Sequence, residues 1–147
     1  MSIWWSLHLR REAASVPLAR RLLLGTMETA GVDPEISYDL SVALTEACAN
    51  AVEHGGDGLD ASAEAYRVTA YLDGELCRIE VADAGPGFTA AEAPRRAHDD
   101  AEHGRGLFLI RELADHVHIG GRPGRGGAVV SFDKILKWRE DAPLVAV

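Results

Sequence analysis

The chain has 147 residues, of which 47% are hydrophobic and 26% charged, and its formal net charge is −8. Such a composition fits one globular domain with its own core and argues against intrinsic disorder. No run approaches the ~20 apolar residues of a transmembrane helix, and no charged lead with an apolar run marks a secretory signal. The acidic balance lacks the basic footprint of sequence-independent nucleic-acid binding.

Ile3, Trp5, Leu7 and Leu9 alternate along a first strand. Ser15 stands where a cap is expected for a helix through Val16, Ala19, Leu23, Met27 and Ala30, which Gly31 ends. Asp33-Pro34 is a second cap with proline at the first helical position. That helix runs through Leu40, Leu44, Ala47 and Ala51 and stops at Gly55-Gly56. Residues 66–72 and 75–83 are strands around Asp73-Gly74, a hairpin dipeptide because both residues tolerate positive φ. The loop 84–103 is long enough to be functional. Leu107, Ile110, Leu113 and Val117 share one face of a third helix that frays before Val117, His116–Gly120 is a short strand, and Ala128–Asp133 is the last one. The tail after Trp138 shows no pattern. The order β-α-α-β-β-α-β-β predicts an α/β chain of the α+β two-layer kind, with a mixed, mostly antiparallel sheet and helices on one face.

Three constellations could carry chemistry. Glu46, Asn50 and His54 step by four along the second helix, about 40° per step, and so fan over one side of it beside the apolar stripe. They form either the polar border of an amphipathic helix, or a carboxylate able to accept a proton with an amide oxygen for a hard cation. Asp83 continues the inward parity of Cys77, Ile79 and Val81 and precedes Gly85 and Gly87. A core-facing carboxylate needs a partner, and the amino group of a bound purine is one candidate. An ordinary turn after a strand is the alternative. His103-Gly104-Arg105-Gly106-Leu107 falls at the start of the third helix, where free amides and the helix dipole suit a phosphate. A hinge or a capping glycine is the plain alternative there. His116 and His118 alternate along a strand and belong on its outer face. Neither they nor His98 and His103 come with a zinc pattern. Arg10, Arg11, Arg20 and Arg21 form either a basic face for an acidic partner or a solvated one. Cys48 and Cys77 make no disulfide framework and read as free thiols in a reducing cytosol.

Taken in order, Glu-x-x-x-Asn on a helix, Asp-x-Gly-x-Gly after a strand and Gly-x-Gly-Leu opening a helix resemble the GHKL ATPase superfamily with its Bergerat nucleotide-binding fold. The resemblance spans about residues 3–133 of a single domain, 1–147. Glu46-Ala-x-x-Asn50-Ala-x-x-His54 resembles the anti-sigma-factor serine-protein kinases within it, as does the first strand with its Val-Pro-x-x-Arg-Arg helix.

That resemblance implies ATP and Mg²⁺ as cofactors. It implies Glu46 as general base, Asn50 as Mg²⁺ ligand, Asp83 on the adenine amino group and Gly85 and Gly87 shaping the adenine pocket. Gly104 and Gly106, with backbone amides near Arg105 and Leu107, are implied to cradle the phosphates, and 88–103 to form the lid. It further implies a cytoplasmic kinase and anti-sigma factor that sequesters a sigma factor and phosphorylates a STAS-type anti-anti-sigma protein, a homodimer, and no direct contact with nucleic acid or membrane. A non-catalytic nucleotide-binding module and a detached histidine-kinase-like catalytic domain are the other readings. One departure stands out: Gly126-Gly127-Ala128 replaces the Gly-Thr pair common in the superfamily. The lid is acidic, through Glu92, Asp99, Asp100 and Glu102.

Overall fold

The computed structural model describes residues 2–54, 65–83, 101–121, 128–140 and 142. Its elements are β1 (Ile3–Arg10), a 3₁₀ turn (Ala13–Ser15), α1 (Val16–Ala30), α2 (Pro34–His54), β2 (Ala65–Leu72), β3 (Leu76–Asp83), α3 (Ala101–Leu113), β4 (His116–Gly121) and β5 (Ala128–Ile135). The order matches the expectation. The stretches 55–64, 84–100 and 122–127 lie outside the described residues, and with them Gly85, Gly87, most of the expected lid and Gly126-Gly127.

Five strands form one sheet in the order β1-β2-β3-β5-β4. Every pairing is antiparallel, so the sheet is not mixed. The reason is connectivity. The α1–α2 pair returns the chain beside β1 in the opposite sense, and β5 inserts between β3 and β4, which run the same way.

Strand parity sorts the two faces. Leu7, Val68, Val81, Val130 and Ile119 are in cross-strand register on the core side. They join one cluster with Ala19, Leu23 and Met27 of α1, Leu40, Leu44 and Ala47 of α2, and Ile110 of α3. Burial of this apolar area is the dominant stabilising contribution, at roughly 25 cal/mol per Å². The other face carries the row Trp4, Tyr71, Arg78, Asp133 and His116. His116 Nδ1 pairs with Asp133 Oδ1 at 2.8 Å. His116 and His118 thus occupy the outer face as expected, and among the described residues no three metal-ligating side chains cluster. No described helix is long and apolar enough to cross a membrane.

The local signals hold at some ends and fail at others. Gly31 closes α1 with φ 91°, the left-handed conformation expected of a C-terminal glycine. Asp33 caps α2, its Oδ1 accepting the Glu35 N–H at 2.9 Å. Ser15 does not cap α1. It is itself helical, and its Oγ donates to the Glu12 carbonyl at 2.7 Å and lies 2.6 Å from the Tyr66 hydroxyl. The Asp73-Gly74 hairpin forms without positive φ at either residue. The Asp73 carboxylate accepts the N–H groups of Glu75 and Leu76 at 2.7 and 2.9 Å and closes the loop itself. Those two hydrogen bonds hold its pKa below the usual carboxylate range.

The described residues after β5 make long-range contacts. Val32 and Trp138 form a β-bridge. Arg139 Nη2 donates to the Glu28 carbonyl at 2.9 Å, and the Trp138 indole N–H to the Gly74 carbonyl at 3.1 Å. The strap ties the α1–α2 junction to the β2–β3 hairpin. Cys48 and Cys77 are buried free thiols, each with its pKa pushed up to about 12 by burial. They are thus packing residues and not nucleophiles.

Gly25 lies mid-helix in α1 with open space where a Cβ would stand. Gly25→Ala is expected to stabilise the protein by about 0.5–1 kcal/mol through helix propensity and a less flexible unfolded chain. Urea unfolding checks this. A lower midpoint would mean that the α1 backbone at Gly25 cannot take a side chain.

Candidate functional site

The long helix α2 buries Leu40, Ala43, Ala47 and Ala51. Glu46 and Asn50 fall beside that stripe and are half-buried. Against them packs α3, and the contact residue is Gly106, which is buried. A Cβ added there would lie 3.1 Å from Glu46 Oε2 and 3.5 and 3.6 Å from Asn50 Oδ1 and Nδ2. The missing side chain therefore lets α3 approach a carboxylate and a carboxamide more closely than a Cβ would readily allow. Gly106 is brought to Glu46 and Asn50 from more than fifty residues farther along the chain.

Asp83 ends β3, opposite Tyr66 of β2. Its Oδ1 accepts the Ala128 N–H at 3.0 Å at the start of β5. The partner that a core-facing carboxylate needs is thus supplied in part by backbone. Ala128 directly follows Gly126-Gly127 in the sequence.

Gly104, Arg105, Gly106 and Leu107 all lie within α3, which begins at Ala101. The sequence reading has them opening the helix. In the structure the unpaired N-terminal amides belong to the turn before Arg105. Leu107 is half-buried and packs against the core. Gly85, Gly87 and the lid as far as residue 100 lie outside the described residues. His54 ends α2.

A groove of about 700 Å³ lies between α1 and α2, lined by Arg20, Leu24, Tyr38, Ser41, Thr45 and Glu46 among others. Glu46 therefore faces both Gly106 and this groove. The four arginines do not act as one face. Arg20 lines the groove, whereas Arg11 turns inward and donates to the Val52 carbonyl near the end of α2 at 2.9 Å.

One residue escaped the sequence reading. Lys134 falls on the inward parity of β5 after Ala128, Val130 and Phe132, opposite Cys77. Its Nζ donates to the Leu113 carbonyl at 2.6 Å and lies 3.8 Å from Asp39 Oδ2. A charge on a core-facing position was the available signal.

Comparison with known proteins gives a consistent picture. The description of a histidine kinase-like ATPase domain matches residues 9–134. The serine-protein kinase RsbW of Bacillus pumilus is 34% identical over 133 residues, 82% of this chain and 78% of that one. RsbW of Listeria monocytogenes serotype 4a is 32% identical over 123 residues, covering 78% and 77%. Among solved structures, the RsbU and RsbW domains of Rv1364c from Mycobacterium tuberculosis share the fold, with a TM-score of 0.63 at 22% identity over 90% of this chain and 33% of that longer one. Full-length ShkA in complex with AMPPNP aligns with a TM-score of 0.52 at 20% identity, over 90% of this chain and 32% of that one.

Proposed function

The chain belongs to the histidine kinase-like ATPase family and is homologous over most of its length to the RsbW serine-protein kinases, and from that premise we propose that it is a cytoplasmic ATP-dependent serine-protein kinase and anti-sigma factor. Its acceptor is a serine on a STAS-type anti-anti-sigma protein, and its other partner is a sigma factor that it sequesters. The observation that carries the reading is the meeting of Gly106 with Glu46 and Asn50. Phosphoryl transfer rests on positioning and on charge stabilisation, and those residue types suit both.

The residues fit the group they would hold. Asn50 presents a carboxamide oxygen beside Gly106, and such an oxygen is a hard donor suited to Mg²⁺. When bound, MgATP supplies the transferable phosphoryl group and the cation that screens its charge. Asn50 holds the metal. Glu46 accepts the proton of the acceptor serine, which reaches it from the groove between α1 and α2. Asp83 receives the adenine amino group, with the Ala128 amide holding one carboxylate oxygen. Gly85 and Gly87 shape the adenine pocket, 88–103 closes over the nucleotide, and Gly104 and Gly106 with the Arg105 and Leu107 backbone line the phosphates. Because α3 starts at Ala101, its first turn must open or shift for the Arg105 and Leu107 amides to reach a phosphate.

A second reading is a nucleotide-binding module without phosphoryl transfer, favoured by the stretch Gly126-Gly127-Ala128, which carries no hydroxyl where the resemblance leads to a Gly-Thr pair. Calorimetric titration with MgATP separates the levels of the proposal. Wild type is expected to bind, and Asp83→Asn to bind about tenfold or more weakly through a mismatched hydrogen bond. No binding by folded wild type overturns the nucleotide site. Binding without phosphate transfer to the cognate STAS-type acceptor selects the module.

A further inference from the structure

The two helices that build the site run antiparallel, and the same spacing repeats on both. On α2, Asp39 precedes Glu46 by seven residues; on α3, Leu113 follows Gly106 by seven. Seven residues are two helical turns, about 10.5 Å. At one end of this paired segment Gly106 abuts Glu46 and Asn50. At the other end a single ammonium joins both helices: Lys134 Nζ donates to the Leu113 carbonyl at 2.6 Å and lies 3.8 Å from Asp39 Oδ2. The Lys134 side chain is only 14% exposed and that of Asp39 27%.

The chemistry at that end is directional. Leu113 is the last residue of α3, so its carbonyl has no partner within the helix and sits at the negative end of the helix dipole. A buried ammonium satisfies both. The neighbouring turn is fastened to the same strand, since Asp115 Oδ2 accepts the Ile135 N–H at 2.6 Å and the Asp115 N–H donates to the Asp133 carbonyl at 2.9 Å. Lys134 differs from those contacts in reaching α2 as well. Sliding α3 along α2 must break the Lys134 contacts at one end and the Gly106 contact at the other.

We propose that Lys134 is a positioning residue: by clamping the C-terminus of α3 to Asp39 of α2, it fixes the register that holds Gly106 against Glu46 and Asn50, and so prepares the phosphate side of the nucleotide site. The functional half of this statement rests on the nucleotide-site reading above. The clamp itself does not, and the two are measured separately.

The test compares wild type, Lys134→Met, Lys134→Arg and Asp39→Asn. Amide hydrogen exchange reads the register, and calorimetric titration with MgATP reads the site. Lys134→Met is expected to exchange about tenfold or more faster at Gly106 and Leu107, with the amides of Val68 and Ile79 in the central strands unchanged. MgATP affinity is expected to fall about tenfold in the same variant. Lys134→Arg restores both, because guanidinium also donates to a carbonyl and a carboxylate. Asp39→Asn shifts both in the same direction by a smaller factor, and carries the test if Lys134→Met fails to fold. Unchanged exchange at Gly106 overturns the clamp. Faster exchange with unaltered MgATP affinity, or no rescue by arginine, overturns the positioning role and leaves a purely structural contact. Absence of MgATP binding by wild type overturns the nucleotide-site reading and the functional half with it, whatever the exchange data give.

Discussion

Glu46→Gln is expected to slow phosphoryl transfer to the acceptor serine by about 10²–10⁴-fold, the range that loss of a positioned general base produces. The substitution keeps shape and half-burial while removing the charge and the proton affinity of the carboxylate, and MgATP affinity is expected to stay within about threefold of wild type. That split between binding and transfer is the signature to look for. Glu46 lines the groove and also approaches Gly106, which is where the proposed function has the acceptor hydroxyl and the phosphate meet. Single-turnover transfer from labelled ATP to the cognate acceptor, beside calorimetry on the same preparation, measures both quantities. Full transfer by Glu46→Gln would remove the base assignment. Loss of binding and transfer together would instead make Glu46 part of the nucleotide pocket. The product formed by wild type is expected to be acid-stable, because phosphoserine survives acid and phosphohistidine does not.

Gly106→Ala is expected to separate stability from function. The new methyl group stands 3.1 Å from Glu46 Oε2, closer than ordinary contact, and about half an ångström farther from Asn50. The tight partner is the far end of a flexible side chain, so Glu46 moves and the fold survives. Alanine also favours the helix by roughly 1 kcal/mol over glycine, which offsets the residual crowding and leaves stability within about that amount of wild type. The displaced carboxylate no longer meets the acceptor in line, and misplacement of about 1 Å costs up to roughly 10²-fold in rate. Thermal unfolding unchanged with transfer down about 10–100-fold is the expected pair of results. Undiminished transfer would mean that the approach of α3 to Glu46 has no part in the chemistry. The double variant with Glu46→Gln is expected to be little worse than Glu46→Gln alone, since both act through one carboxylate.

Much of the fold was legible because its signals are local. The period-2 burial of β2 and β3 and the helical stripe of α2 arise from neighbours along the chain, and the structure buries the same residues. Gly31 and Asp33 work as terminators for the same reason: their effect lies in their own φ or in an amide two residues away. Ser15 and Asp73 show the limit. A serine before a helix reads as a cap until Tyr66, fifty-one residues away, offers a better partner. Asp73-Gly74 reads as a turn with positive φ until the carboxylate closes the loop by two backbone hydrogen bonds. In the site, the order of the motifs was readable, but the contact of Gly106 with Glu46 was not.

What the sequence determined by itself is therefore the set of elements, the face that each buries and the family to which its motifs belong. These follow from backbone sterics and from apolar periodicity within a dozen residues. The tertiary structure alone decided which groups meet: Gly106 with Glu46 and Asn50, Asp83 with the Ala128 amide, Lys134 with Leu113 and Asp39, and the C-terminal strap with the hairpin. Those pairings depend on how far α2 and α3 slide along each other and on which strand lies beside which. Close packing sets both, acting on the whole domain at once, and no window of the chain contains it.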